Sequence, residues 1–170
     1  MQKITDADQI ESALIRQFYV YWRSKCHEGA IPRRADIDPV EIPKLVPNLL
    51  IADIEQDPFR VKYRLVGTNV VEATGFEFTG KYLDEIVLAD DEGPFLECYQ
   101  TACASWLPVH TRIKWHLGDD TVREYDICIL PLSDDGITVN KAVSIECYEN
   151  VGRDFMFLGR SRPMCGPNRR

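Results

Sequence analysis

With 170 residues, a mass of 19.5 kDa, 45% hydrophobic and 28% charged residues, the chain can build one sizeable core and has no room for two full catalytic domains. Twenty basic against 27 acidic residues give a net charge of −7, which excludes the broad basic surface that a phosphate backbone requires, so no nucleic-acid partner is expected. The charge is unevenly spread: residues 1–28 balance, residues 153–170 carry five arginines against Asp154 for a net +4, and the stretch between them holds −11. No apolar run approaches the roughly 20 residues that cross a bilayer, and MQKITDADQIE is too polar for a signal peptide, so no membrane contact and a cytoplasmic location are expected. The cysteines Cys26, Cys98, Cys103, Cys128, Cys147 and Cys165 form no CxxC pair or ligand-like cluster and are read as reduced core filler.

Residues 9–26 place Ile10, Leu14, Phe18 and Tyr21/Trp22 at helical spacing, with Thr5 or Asp6 available as a cap and Gly29 and Pro32 as a stop. The stripe Leu14, Phe18, Tyr21 and Trp22 packs either on the chain's own domain or on a second copy, and these four residues are the candidate homodimer interface. The following PRRADIDPVEIPKLVP is too proline-rich for a long helix and too apolar for a solvated linker, so it should lie across the domain surface. Two strands, LLIADIE and RVKYRLVG, flank Gln56-Asp57-Pro58-Phe59 as a hairpin. Short helical pieces, NVVEATG and GKYLDEI, come next, broken by Gly67, Gly75 and Gly80. Asp90 or Asp91 then caps a helix of about 15 residues with a stripe of Phe95, Tyr99, Ala102/Cys103 and Trp106, closed by Pro108. VHTRIKWHL, REYDICILPL and GITVNKAVSIECYE follow as an antiparallel meander with turns at Gly118-Asp119-Asp120 and Ser133-Asp134-Asp135-Gly136. The fold class is therefore α+β, a five-stranded antiparallel sheet with helices on one face. A doubly wound parallel sheet is disfavoured, because no GxGxxG follows a strand and the strands lack intervening helices.

This element order, with DIDPVEIPKLVPNLLIADIE and KYRLVGTNVVEATGFEFTGKYLDEI, resembles the PAS domain, and more closely a PAS-like family of proteobacterial proteins of unknown function. The likeness spans about residues 9–150. It implies a sheet in spatial order 2-1-5-4-3, with the short helices and the longer helix over one face and the N-terminal helix as an addition. It divides the chain into an N-terminal helix and linker (1–31), a PAS-like domain (32–150) and a basic, flexible C-terminal tail (151–170). It also implies a sensory or regulatory protein that binds a small molecule and signals through a separately encoded protein effector. The chain lacks the N-C-R-F-L-Q-type motif that resembles a flavin attachment site, and His27, His110 and His116 sit at a helix end or on polar strand faces. Covalent flavin and haem are therefore disfavoured, and the cofactor is left open.

Catalysis finds no foothold in the sequence. His110 and His116 lie about 20 Å apart by strand rise and should be surface residues rather than joint metal ligands. Asp119/Asp120 and Asp134/Asp135 fall in turns, where aspartate bonds its own backbone, and no serine stands in a GxSxG elbow, so no enzyme is expected. Arg64 either pairs with an acidic surface group or reaches a ligand carboxylate. Tyr99, Cys103, Trp115 and Tyr125 belong to apolar faces that meet under the helical cover, and with Arg64 they form the candidate ligand-binding set. Two other functions compete with the sensor: a ligand-free interaction or dimerisation adaptor, and a small α+β enzyme of the ketosteroid-isomerase-like kind, which would need an acid/base pair the sequence does not mark.

Overall fold

A computed structural model describes residues 1–27, 29–86, 89–116 and 122–148, without the side chains at 89–92, 115–116 and 122–123. The helices are α1 (Ala13–Ser24), α2 (Thr68–Thr74) and α3 (Ala89–Ser105), and the strands are β1 (Gln2–Lys3), β2 (Leu49–Gln56), β3 (Phe59–Val66), β4 (Val109–His116), β5 (Val122–Leu132) and β6 (Lys141–Cys147). The tail, the 118–120 turn and the side chains of Trp115 and His116 lie outside the described residues.

All strand pairs are antiparallel and form one sheet in the order β1-β4-β5-β6-β2-β3. Read from β3, this is the expected 2-1-5-4-3 order. The sixth strand, β1, is an addition to the five expected: it pairs Gln2 with His110 and Lys3 with Val109, too short a ladder to leave a hydrophobic pattern in the sequence. The last strand also starts later than its alternation suggests. Asp135 accepts the amides of Ile137 and Thr138 and the Thr138 hydroxyl, which holds 137–138 in the turn and leaves Ile137 exposed.

The helices α2 and α3 cover one face, where Leu50, Ala52, Tyr63, Val70, Tyr99, Ala102, Ile127 and Ile129 form the inner core. The added helix α1 covers the other. Ser12, rather than Thr5 or Asp6, caps it by accepting the Ile15 amide; Asp6 caps a 3₁₀ turn at Ala7–Gln9. Phe18 and Trp22 sink into an outer core with Ile51, Cys128, Leu130, Val143 and Ile145, and the Trp22 indole donates to Pro131 O at 3.1 Å. Burial of each aromatic contributes about 2–3 kcal/mol.

Of the two partners the stripe was offered, its own domain takes it. Phe18 and Trp22 are spent on the chain's own sheet, Leu14 packs beside them, and the Tyr21 hydroxyl accepts the Asp38 amide at 2.8 Å, tying down the proline-rich connector. The stripe has an intramolecular partner because β5 and β6 are apolar on a second face, so the sheet carries two covers rather than one. Ile37, Ile42 and Leu45 of the connector complete the outer core.

Gly67 connects β3 to α2 where the chain passes against 47–49: a Cβ there would collide with the Pro47 carbonyl and lie 2.9 Å from Leu49 O. Gly67→Ala should lower stability by about 3 kcal/mol in urea unfolding.

Candidate functional site

The inner face of the sheet is not uniformly apolar. Alternation along β6 sends Ala142, Ser144 and Glu146 inward and Val143, Ile145 and Cys147 outward. Ser144 and Glu146 are therefore buried in the middle of the sheet, where four tyrosines gather around them: Tyr63 from β3, Tyr99 from α3, Tyr125 from β5 and Tyr148 just past β6. Tyr99 Oη lies 3.4 Å from Ser144 Oγ, and Tyr63 and Tyr99 lie close enough for each to bear on the other's ionisation. Tyr148 donates to Glu146 Oε2, and its ring tilts over Tyr125 with centroids 5.2 Å apart. Phe78 closes one side, edge-on to Tyr63 at 5.0 Å.

A hydrogen-bond chain ties this cluster to the helical cover. Asn69 in α2 donates to Asn48 Oδ1, and Asn48 Nδ2 donates to Glu146 O, both at 2.9 Å. Movement of α2 thus bears directly on the backbone at Glu146.

Burial governs the electrostatics. It pushes the Glu146 carboxyl up to about 7, against which the Tyr148 hydrogen bond works only in part. Burial also raises the Tyr99 hydroxyl to about 12 and those of Tyr63, Tyr125 and Tyr148 well above their ordinary value, the last two further by the nearby Glu146 charge. The cluster is thus a set of neutral phenols around one carboxyl that changes charge near neutrality. Cys98 and Cys103 on α3 are raised to about 11 and 12 by burial, which keeps both as thiols and poor nucleophiles.

Of the residues proposed from sequence, Tyr99, Cys103 and Tyr125 come together in this inner core, whereas Arg64 does not join them. Ile51 pairs with Leu65 and Ala52 with Tyr63, so Arg64 is the extra residue of a β-bulge, and its guanidinium is taken by Asp53. Lys141 binds the same carboxylate at 2.8 Å; despite the burial of Asp53, these two cations hold its pKa below the ordinary value. His110 also departs from expectation. It is a mostly buried residue 3.5 Å from Asp126, which receives Arg112 at 3.1 and 3.3 Å, and burial lowers its pKa. Among the described residues no group of three or more His, Cys, Asp or Glu is placed to hold a metal, and no helix is long and apolar enough to cross a membrane.

A PAS domain family model matches residues 10–144. The chain belongs to the PAS domain family. The PAS sheet is also similar to a light-oxygen-voltage domain described with a flavin analogue, at 13% identity over 69% of this chain and 87% of that one, with a TM-score of 0.50. Further neighbours are the light-oxygen-voltage domain of a blue-light activated histidine kinase from Erythrobacter litoralis (20% identity, 58% and 92% covered, TM-score 0.45) and an RNA-binding light-oxygen-voltage receptor (13%, 81% and 38%, TM-score 0.49). At such identities the likeness is one of fold. No match is found among curated proteins.

Glu146 makes a pH signature. Its folded pKa of about 7 exceeds the ordinary glutamate value, so the folded state binds the extra proton in the interval between them. Stability should be greatest below about pH 4.5 as far as this group is concerned and fall by about 3 kcal/mol as pH rises through 7. Glu146→Gln should flatten that decline in denaturant unfolding between pH 5 and 8; parallel curves for the two proteins would refute the assignment.

Proposed function

We propose that this PAS domain is a sensory or regulatory module that recognises a small molecule at the tyrosine-lined inner face and passes its occupancy to a protein partner. The observation that carries this reading is the buried polar set Tyr63, Tyr99, Tyr125, Ser144, Glu146 and Tyr148, placed between the sheet and its α2–α3 cover. An apolar core needs no such set, and burying hydroxyls and a carboxyl costs stability unless each finds a partner. Neutral phenols and a protonated carboxyl suit a neutral or weakly acidic ring bearing hydrogen-bonding groups. They suit a strong anion poorly, since Glu146 would repel it once ionised.

Arg64 has no part in this reading, because Asp53 already holds it. Cys103 and Tyr125 are assigned to the walls of the ligand site, and Tyr99 to the hydrogen bond that fixes ligand orientation. The Asn69–Asn48–Glu146 connection gives ligand binding a route from the cover to β6, beyond which the chain continues towards its C-terminus. A role without catalysis agrees with phenols and thiols that remain protonated at neutral pH.

Native mass spectrometry and an absorption spectrum of freshly purified protein should reveal a retained small molecule. Tyr99→Phe, which removes one hydroxyl and keeps the ring, should lower its occupancy about tenfold through a buried hydrogen bond left unmade. Repeated absence of any retained molecule would turn the reading towards a ligand-free adaptor.

A further inference from the structure

A concavity lies on the opposite side of the sheet from the tyrosine cluster. It has a volume of about 200 Å³ and is enclosed by the segment after β1 (Ile4, Thr5), the C-terminal half of α1, the turn at Gly29–Ile31 and the α3–β4 link Trp106–Pro108. A void of about 150 Å³ accepts one benzene ring, so this one has room for a ring with a short substituent.

Two further observations indicate what would fill it. Trp106 has φ +59, a left-handed conformation unfavourable for a bulky residue by about 1–2 kcal/mol. Its amide nevertheless closes the end of α3 by donating to Ala102 O at 3.0 Å, and its side chain lines the concavity. With Trp22, whose indole N–H is already engaged by Pro131 O, it supplies aromatic wall rather than polar contact. The second observation is Arg23 at the rim. It lies near enough to Cys26 to bear on the thiol's ionisation and forms no ion pair with a carboxylate among the described residues. An aromatic cavity of one-ring size, bordered by a guanidinium that has no carboxylate partner among the described residues, is complementary to an aryl ring carrying a carboxylate.

We propose that this cavity is a binding site for a small aromatic carboxylate, its ring against Trp22 and Trp106 and its carboxylate on Arg23. The site is separate from the tyrosine cluster and has the opposite charge preference. Because Trp106–Pro108 ends the helix that covers the inner face, a ligand here stiffens one end of that cover from outside, which gives the domain a second chemical input.

The test uses the full chain, with phenylacetate as probe and phenethyl alcohol as its uncharged counterpart. The readout is the rate at which iodoacetamide alkylates Cys26, followed by peptide mass spectrometry, with tryptophan emission recorded in parallel. Phenylacetate should slow Cys26 alkylation at least about fivefold, saturating on the order of 0.1 to 1 mM, and the alcohol should protect much less. Arg23→Gln, an exposed substitution, should weaken the phenylacetate effect about tenfold, and Ala30→Phe, which fills the cavity from its rim, should abolish it. Tyr99→Phe should leave it unchanged. Equal protection by acid and alcohol, or full protection in Arg23→Gln, would overturn the proposal; loss of the effect in Tyr99→Phe would overturn it by moving the probe to the inner face.

Discussion

Burial of β6 on both faces is the constraint on which the rest of the molecule depends. With β5 on one side and β2 on the other, its backbone groups are paired and its side chains meet two different environments. The outward set must be apolar because Phe18 and Trp22 lie on it, while the inward set can hold Ser144 and Glu146 only because Tyr99 from α3 and Tyr148 just past β6 supply hydrogen bonds. A slip of one residue in register would exchange the faces, driving Glu146 under α1 and leaving Val143 and Ile145 opposite phenol groups. Pairing of Leu49 with Ile145 and Ile51 with Val143 opposes that slip, because each couples two apolar residues on the α1 side.

Much of the architecture was legible in the sequence because its signals were local and strong. The alternation in RVKYRLVG, the polar turn at 133–136 and the aromatic spacing of α1 each have a short-range physical cause. Beside those periodicities, the resemblance supplied the strand order. Two-residue β1 left no trace, since its pairing depends on where β4 is brought by the rest of the fold. Periodicity also could not distinguish an α1 stripe destined for a second copy from one destined for its own sheet. That choice rests on Cys128, Leu130 and Val143, more than 100 residues away, being free to receive it.

The candidate site was legible only in part. Tyr99 and Tyr125 stood on apolar faces and could be found by period. Ser144 and Glu146 alternate with Val143 and Ile145, which by itself is the pattern of a strand with one solvated face. Their significance emerges once strand order places them in a central strand under α3: polar residues there cannot face water. Arg64 stands at a bulge that breaks the period of two along β3 and takes the first of its two expected roles, pairing with an acidic group, Asp53. His110 lies on a strand face that looks polar in sequence and becomes enclosed when that face meets the N-terminal region.

The short ladder made by Gln2 and Lys3 has a consequence for self-association. β4 would otherwise present its whole outer edge to other chains, and unpaired edges template intermolecular strand addition. β1 occupies the start of that edge, and the remaining stretch carries Arg112 and Lys114, whose charges disfavour close apposition of a second copy. At the other end of the sheet, a bridge between Lys62 and Tyr82, with hydrogen bonds linking Tyr63 to Lys81 and Gly80, obstructs β3. The protein thus guards both margins of its sheet against aggregation with backbone already used for folding.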